Sequence, residues 1–575
     1  SIVASLSVWL MESPLRLHHK KMQKAIFTSL MLGAVFLMQT APTVRAAEPR
    51  IVNIYNFVRN SDYRLAHSED VLFEATRQEI QLIKQAGLPA TWALQYDALI
   101  NPRYQKLFKE QLGSKDEIAA WWEIPQPLAE KAGLKWRGQH EWDSQANVGF
   151  SPGYTPDERR KLVDVYMADF KKIFGRYPRT VGSWFIDEVT LEYMAEKYGI
   201  VASCNCKDQV GTDGYTLWGG YWNQAYYPSK LNAYMPAQTK AGQINVPIFR
   251  MLGSDPIYQG YSPGMWTLEP VYPQAGGSAD WVAWFMNNLI HQPSLAFAYT
   301  QAGQENSFGW DAMKTGLTLQ IALFARQAKA GEIQVMTLAD AGKWFRRHYA
   351  LTPPTAVVYQ NDWKHENRKT VWYDSRFYRL NMLWENNGFF IRDLHCFDEN
   401  IVSPTHDRVL ATTSLAYETL PVMDGALWSD AKKAGIWPVL ISADGKTSPL
   451  ATDGPPTVSE LNKTDLSIRQ PLRGGGVFTV VCQENKITFT GIDEQGKPLP
   501  WAWDMIGGAQ QKAAVKTVTL TGIAYHFGGA DYQIQLAPDE GSCQQREDGD
   551  IWLTPGSSGK IVLILNSNKH GKSKS

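Results

Sequence analysis

The chain has 575 residues with 57 basic and 57 acidic side chains, so its formal net charge at neutral pH is zero. A balanced charge argues against a nucleic-acid-binding protein, in which a basic stripe is expected. The length predicts two or three domains, and the five irregularly spaced cysteines exclude a disulfide framework.

The first residues are typical of an export signal. Lys20, Lys21 and Lys24 precede the apolar run AIFTSLMLGAVFLM (25–38), which is too short to span a bilayer. We expect translation to start at Met22, cleavage near Ala46 and export of the remaining chain, whether to the periplasm, the cell surface or the medium. No later segment is apolar over a membrane-spanning length.

Strands and helices alternate from about residue 50 to 345. Amphipathic helices fit between nine short apolar runs, and one helix begins at the capping box Thr155-Pro156-Asp157-Glu158. The alternation predicts an α/β fold, a (β/α) barrel of seven or eight units over 48–353, with a long loop over 206–245 covering the strand ends. The nine predicted strands are 51–58, 90–95, 118–124, 135–141, 180–186, 200–205, 246–252, 294–300 and 333–338.

The pattern changes after Pro353-Pro354, which marks a domain boundary. Beyond it, strand-like runs are separated by Gly, Asp and Asn turns without convincing helices. This predicts an all-β, sandwich-like region over 355–566, followed by a disordered tail over 567–575.

The block HEWDS (140–144) together with residues 155–200 resembles the polysaccharide deacetylase (NodB-like) superfamily. The similarity covers roughly 50–205 and rests on the helix after Thr155, the turn Gly175-Arg176-Tyr177-Pro178, Tyr198-Gly199-Ile200 and LPATWAL (88–94). Related glycosidase barrels, such as families 57 and 38, share this scaffold, and the whole chain also looks like exported two-domain proteins of Bacteroidota. The resemblance implies a barrel enzyme that acts on carbohydrate.

The family's metal motif does not carry over to this chain. In the family the first strand ends in paired aspartates, whereas here it ends in NFVRNSD (56–62). The second residue of the family's His-x-x-x-His pair is Ser144, so His140 alone is left. A catalytic zinc needs three protein ligands, so we predict no metal and no cofactor.

Ionisable groups follow several predicted strands. Because strand C-termini in a parallel barrel open on one face, these groups are expected to converge there. We predict that one acid protonates a leaving glycosidic oxygen while a carboxylate activates water or attacks the anomeric carbon. If the alignment holds, His140 faces inward. Asp187 and Glu188 have a second interpretation, as the N-cap and first-turn acid of a helix. The predicted catalytic residues are Asp62, His140, Glu141, Asp187 and Glu188.

Three arginines and several of the 22 tryptophans lie near predicted strand ends. Arginine binds carboxylate or sulfate groups bidentately, and tryptophan stacks on sugar rings, although ion pairs and core packing explain such residues as well. The predicted substrate-binding residues are Arg59, Arg64, Arg137, Trp142, Trp184, Trp218, Trp222 and Glu305.

Together these features predict an exported glycoside hydrolase that acts on a poly- or oligosaccharide. Three alternatives stay open at this point. The first is a sialidase-like exo-glycosidase for acidic sugars, which the three arginines would suit. The others are a residual polysaccharide deacetylase and a glycan-binding protein without activity.

Overall fold

The computed structural model describes residues 48–565. The predicted signal peptide with its cleavage near Ala46 and the predicted tail over 567–575 lie outside the described residues. Within 48–565, no helix combines the length and the apolar character that crossing a bilayer requires.

Seven parallel strands of the N-terminal part curve into a nearly closed barrel, in the order β12-β1-β2-β3-β4-β5-β11. A further strand, β13, also pairs with β1, and β8 pairs antiparallel with β11, so the barrel stays open between β11 and β12. The strands of this part are β1 (Arg50–Val58), β2 (Thr91–Leu94), β3 (Glu117–Trp121), β4 (Thr180–Gly182), β5 (Ala202–Asn205), β6 (Gln209–Thr212), β7 (Tyr215–Trp218), β8 (Ala225–Tyr226), β9 (Pro228–Ser229), β10 (Asn232–Pro236), β11 (Ile248–Arg250), β12 (Ala298–Ala302) and β13 (Gln334–Met336).

Helices surround this barrel. The predicted capping box is confirmed, because the Thr155 hydroxyl accepts the N–H of Glu158 at 3.2 Å and the Glu158 carboxylate accepts the N–H of Thr155 at 2.8 Å. The helices are α1 (Ser68–Gln85), α2 (Tyr96–Ile100), α3 (Pro102–Gln111), α4 (Gln126–Lys131), α5 (Ala146–Gly149), α6 (Pro156–Phe174), α7 (Glu188–Tyr198), α8 (Ala279–His291), α9 (Trp310–Lys329) and α10 (Leu338–His348), with 3₁₀ turns at Ser151–Gly153 and Asn306–Phe308.

The predicted strand over 135–141 is wrong. This segment is irregular, and the Asp143 carboxylate accepts the N–H of Gln139 at 2.7 Å, which bends the chain. The Trp136 indole donates to the carbonyl of His140 at 2.9 Å, closing a second local contact. The alternating pattern of this segment therefore reflects a folded loop, and the strand that follows β3 in the barrel is β4.

Aromatic side chains fill the barrel at its C-terminal end. Phe57 and Trp121 stack with their ring centroids 3.9 Å apart, and Trp184 packs edge-on with its centroid 5.0 Å from that of Phe57. A barrel of this size has an interior that side chains can fill. The strand ends therefore rest on a rigid aromatic layer.

The C-terminal part consists mainly of a ten-stranded and an eight-stranded antiparallel sheet. Phe389 of the first sheet packs on Phe478 of the second with centroids 5.2 Å apart, as expected of a sandwich. The expectation that this part lacks helices is wrong at α11 (Gly508–Ala514), whereas the predicted fold class is confirmed. The strands are β14 (Thr355–Tyr359), β15 (Lys369–Asp374), β16 (Tyr378–Glu385), β17 (Gly388–Cys396), β18 (Leu415–Glu418), β19 (Leu420–Asp424), β20 (Gly435–Ile441), β21 (Thr447–Pro449), β22 (Thr457–Glu460), β23 (Leu466–Pro471), β24 (Val477–Gln483), β25 (Lys486–Ile492), β26 (Trp501–Ile506), β27 (Val515–Thr519), β28 (Gly522–Phe527), β29 (Ala530–Leu536), β30 (Ser542–Gln545), β31 (Ile551–Thr554) and β32 (Lys560–Ile564).

The long loop after β5 connects the barrel with the sandwich. Its strands β6 and β7 form a three-stranded sheet with β18 of the C-terminal part. Close by, the Asp208 carboxylate accepts from Arg250 at 2.9 Å and from Arg379 of β16 at 2.6 Å, and all three side chains are buried. The barrel's C-terminal face is thus held by residues from both parts of the chain.

Candidate active site

Arg59, directly after β1, organises the polar groups at the C-terminal face of the barrel. Its Nε and Nη2 donate to the two carboxylate oxygens of Glu123 at 2.9 and 2.7 Å, and its Nη1 donates to Glu305 at 2.6 Å. Gln95, which follows β2, donates to the Glu123 carboxylate at 2.5 Å. The ends of β1, β2, β3 and β12 therefore meet at one buried cluster.

This cluster holds one guanidinium for two carboxyl groups. Burial raises the pKa of Glu305 to about 7; the charges of Arg59 and Arg64 oppose this rise, and the charge of Glu123 adds to it. Glu305 is 8 % exposed, whereas Glu123 is 2 % exposed. The carboxyl group that exchanges its proton near neutral pH is therefore also the one that solvent reaches more easily.

A third carboxyl group, that of Asp62, follows β1, and Arg64 holds it from the rim with contacts of 2.9 and 2.7 Å. Burial alone would raise the pKa of Asp62, but hydrogen bonds from Arg64 and the charge of Arg59 outweigh it and lower that pKa. Trp142 covers this region, with its ring centroid 4.3 Å from the guanidinium carbon of Arg59. The face thus combines an ionised carboxylate with a carboxyl group that stays protonated at mildly acidic pH.

Exposed aromatic rings form the rim of the site. The rings of Tyr63 and His140 stack with centroids 4.3 Å apart and an interplanar angle of 4°. Glu141 is exposed and accepts from the Ser61 hydroxyl at 3.1 Å, while Arg137 donates to the Gly153 carbonyl at 2.7 Å. His140 and Glu141 therefore lie at the rim, and the expectation that His140 points into the barrel from a strand is wrong.

Asp187 and Glu188 do not join this cluster, and the expectation that a strand end turns them into the pocket is wrong. Asp187 is fully buried, caps α7 by accepting the N–H of Thr190 at 2.9 Å, and pairs with Arg159 at 3.1 Å. Glu188, also buried, accepts from His406 at 2.9 Å. Their alternative interpretation, as the cap and first-turn acid of a helix, describes them correctly.

Three of the tryptophans predicted to bind substrate are packed inside the molecule. Trp218 donates to Asp424 at 2.6 Å, and Trp222 stacks on Trp372 with centroids 3.9 Å apart. Trp184 belongs to the aromatic layer of the barrel. The structure therefore leaves Trp142, together with Arg59, Arg64 and Glu305, as the predicted binding residues that lie at the cluster itself.

Several residues of this face were not among those predicted from the sequence. Glu123 was assigned to the predicted strand 118–124, but β3 ends at Trp121, so Glu123 follows the strand end. Glu269 and Tyr272 come from the loop after β11. Burial raises the pKa of the Tyr272 hydroxyl, and the charges of Glu269 and Glu305 add to this rise. If the end of β3 had been predicted at Trp121, Glu123 would have been among the candidate residues that follow a strand.

The zinc site implied by the deacetylase resemblance does not fit these residues. The C-terminal face of the barrel carries the guanidinium of Arg59 between Glu123 and Glu305, and its positive charge repels a metal cation there. Within 48–565, one set of His and Asp side chains brings its ligand atoms within 4.8 Å of one another, namely Asp393, His395 and Asp424 in the sandwich. Donors already occupy it, because Arg379 donates to Asp393 at 2.8 Å.

No family model and no curated protein matches this sequence. Among solved structures, a candidate glycoside hydrolase/deacetylase from Parabacteroides distasonis matches with a TM-score of 0.50 and 16 % identity, over 65 % of this chain and 91 % of that protein. This likeness confirms the predicted distant resemblance at the level of the fold. A candidate polysaccharide deacetylase from Mycobacterium smegmatis matches with a TM-score of 0.34 and 12 % identity, over 54 % of this chain and 96 % of that protein. A GH57 branching enzyme from Thermococcus kodakaraensis matches with a TM-score of 0.29 and 9 % identity, over 52 % and 71 %.

Proposed function

We propose that this chain is a carbohydrate-active hydrolase that cleaves glycosidic bonds by acid/base chemistry at the C-terminal face of its barrel. The observation that carries the proposal is the sharing of Arg59 between Glu123 and Glu305, together with the pKa of about 7 that burial gives Glu305. An acid with a pKa near the working pH is suited to proton transfer.

In this mechanism Glu305 donates its proton to the leaving glycosidic oxygen. Asp62, whose pKa is lowered, supplies the ionised carboxylate that activates water or stabilises the positive charge at the anomeric carbon. Arg59 positions Glu305 through its 2.6 Å contact. The stacked rings of Tyr63 and His140, next to Trp142, offer an aromatic surface at the rim of the kind that packs against sugar rings.

Support for a carbohydrate substrate comes from the shared fold and from this rim. The first of the structures compared above is named as a glycoside hydrolase/deacetylase, and fold alone does not determine activity. The carboxyl pair and the lack of fit for zinc favour glycoside hydrolysis over metal-dependent deacetylation. We also propose that the chain is exported, which fractionation of cells that express the full sequence would test.

The test is a panel of neutral and acidic glycans, with new reducing ends and released acetate measured in the same reactions. We expect new reducing ends with the wild-type protein and a loss of about 10²–10⁴-fold with Glu305→Gln, the range for removal of a general acid. Glu110→Gln on the exposed face of α3 is the matched control and should leave the rate unchanged.

Other outcomes of the same panel would contradict the proposal. Release of acetate without new reducing ends would identify a deacetylase. Binding of glycans without any turnover would identify a glycan-binding protein, and full activity of Glu305→Gln would remove the proposed centre.

A further inference from the structure

Lys207 is a buried cation with almost no partner. It follows β5 by two residues, at the same end of the barrel as Glu305, and is 3 % exposed. Its ammonium group donates to the Gln209 side-chain oxygen at 3.4 Å, which is a long contact. Across residues 48–565, no carboxylate oxygen lies within 4.0 Å of this ammonium group.

The other buried cations of this face have well-formed partners. Arg392 has no carboxylate partner within residues 48–565, but it donates to Asn381 and to the carbonyl groups of Ile257 and Pro256 at 2.6–2.9 Å. Arg59 contacts two carboxylates, Arg250 contacts Asp208 at 2.9 Å, and Arg379 contacts Asp208 at 2.6 Å and Asp393 at 2.8 Å. Asp208, the neighbour of Lys207 in sequence, therefore already accepts from two guanidinium groups. An ammonium group taken out of water costs several kcal/mol unless it is paired, so Lys207 is the exception that requires an explanation.

Lys207 and the proposed catalytic groups follow strands at the same end of the barrel. Burial raises the pKa of the Cys206 thiol, the charge of Lys207 opposes this rise, and the charge of Glu269 adds to it. The pKa of Tyr272 responds in turn to Glu269, Glu305 and Cys206. The charge of Glu269 thus affects both Cys206, which the charge of Lys207 also affects, and Tyr272, which the charge of Glu305 also affects.

The arginines expected from the sequence to bind an acidic sugar are not free to do so. Arg59 is engaged by Glu123 and Glu305, and Arg64 is engaged by Asp62. Arg137 is exposed and donates to a backbone carbonyl. Lys207 differs from these arginines because, within residues 48–565, it has neither a carboxylate partner nor a hydrogen bond shorter than 3.4 Å.

We propose that Lys207 binds an acidic group of the substrate, a carboxylate or a sulfate ester, and that the substrate is therefore an anionic saccharide. The role of this ligand as a substrate rests on the proposed function, whereas the binding of an anion at Lys207 does not. An acidic group at Lys207 would supply the missing counter-charge, and its sugar ring would then lie on the same face as Glu305.

The experiment uses the full chain with Glu305→Gln, so that binding is measured without turnover. The calorimetric titrants are D-glucuronate, D-galacturonate and D-glucose 6-sulfate, each compared with its neutral parent sugar. We expect at least one acidic sugar to bind about tenfold more tightly than its parent. Adding Lys207→Met should remove that preference, a loss of about 1.4 kcal/mol, while binding of the neutral sugars stays unchanged.

Two further variants keep the result interpretable. Lys115→Met removes an exposed lysine after α3, at the opposite end of the barrel, and should leave the preference intact. Lys207→Arg keeps the positive charge and should retain part of the preference even if Lys207→Met folds poorly. In addition, acetic anhydride should label Lys207 more slowly when the acidic sugar is present than when its neutral parent is present.

The outcomes separate this inference from the proposed function. Equal affinity for acidic and neutral sugars in the starting protein would overturn the inference, and so would an acid preference that survives Lys207→Met. Hydrolysis of neutral glycans that is insensitive to Lys207→Met would leave the hydrolase standing while the inference fails. Lys207-dependent anion binding without hydrolysis of any glycan would leave the inference standing while the hydrolase fails.

Discussion

At the scale of single residues, the site depends on an unequal number of buried charges. Arg59 donates to Glu123 through two parallel contacts and donates a third N–H to Glu305. Two carboxylates around one guanidinium cannot both ionise at little cost, because like charges at close range disfavour ionisation. Burial is the largest cause of the raised pKa of Glu305, and the nearby charge of Glu123 adds to it, whereas the charge of Arg59 opposes it.

Replacing Arg59 by Met should destabilise the protein by about 3–5 kcal/mol at pH 8, because two buried carboxylates lose their counter-charge. Burial raises the pKa of Glu305, so the stability that this group contributes is present below its unfolded value of about 4.3 and is lost as the pH rises through about 7. The effect of Arg59→Met should accordingly be smaller at pH 5 than at pH 8. Urea unfolding at both pH values measures it.

The control for this variant is Arg77→Met, which breaks an exposed pair with Glu74. It should cost less than about 1 kcal/mol at either pH. Equal costs for the two variants would contradict the importance assigned to Arg59.

At the scale of elements, the helix caps hold the barrel and the sandwich together. Asp187 begins α7, and the guanidinium of Arg159, paired with Asp187, also donates to the carbonyl groups of Thr405 and Arg408 at 2.9 and 3.0 Å. His406, between these two, donates to the Glu188 carboxylate. These acidic residues therefore anchor the segment that precedes β18.

Asp187→Ala should lower the free energy of unfolding by about 3–5 kcal/mol, because it removes a helix cap and leaves Arg159 buried without its carboxylate. Thr155→Ala removes a cap of α6 without breaking a buried ion pair and should cost about 1 kcal/mol. Denaturant unfolding of both variants compares the two costs. A cost for Asp187→Ala no larger than that for Thr155→Ala would show that the pair with Arg159 does not matter.

Strands and helices could be predicted from the sequence where the periodicity of apolar residues and the capping residues determine them. Eight of the nine predicted barrel strands form, and the helix after Thr155 begins at its predicted capping box. The segment 135–141 failed because its alternating pattern is satisfied by contacts within a loop, such as that of Trp136 with His140. A local sequence pattern does not show whether a neighbouring strand is available to pair with the segment.

The site was predictable in part for the same reason. Asp62 and Glu305 follow strands, and the strand-end rule selected both. Glu123 was hidden because the end of the strand was predicted at residue 124, three residues after the end of β3 at Trp121. The partners of Arg59 come from positions 64 and 246 residues away along the chain, so its role as an organiser required the fold.

At the scale of the whole molecule, the barrel and the sandwich share one apolar core that runs from Val52 to Leu565. A buried ionic network crosses the same boundary, because Asp208 of the barrel loop accepts from Arg379 of β16. The predicted boundary near Pro353 is therefore a change of architecture rather than a break between independent surfaces.

Residues 48–353 alone should not fold into a stable barrel, because this fragment exposes its share of the core and loses Arg379. We expect the fragment to aggregate or to unfold without a cooperative transition, while residues 48–565 unfold cooperatively. Circular dichroism during thermal unfolding compares the two. A cooperative transition of the isolated fragment at the temperature of the longer chain would contradict this prediction.

The central claim is that Glu305 carries a proton near neutral pH and gives it to the substrate. The most direct measurement is a titration of the Glu305 carboxyl group by carbon NMR of protein labelled at glutamate, with the signal assigned by its loss in Glu305→Gln. The account predicts a midpoint of about 7. A midpoint near 4.3, the value of an unperturbed glutamate, would contradict it.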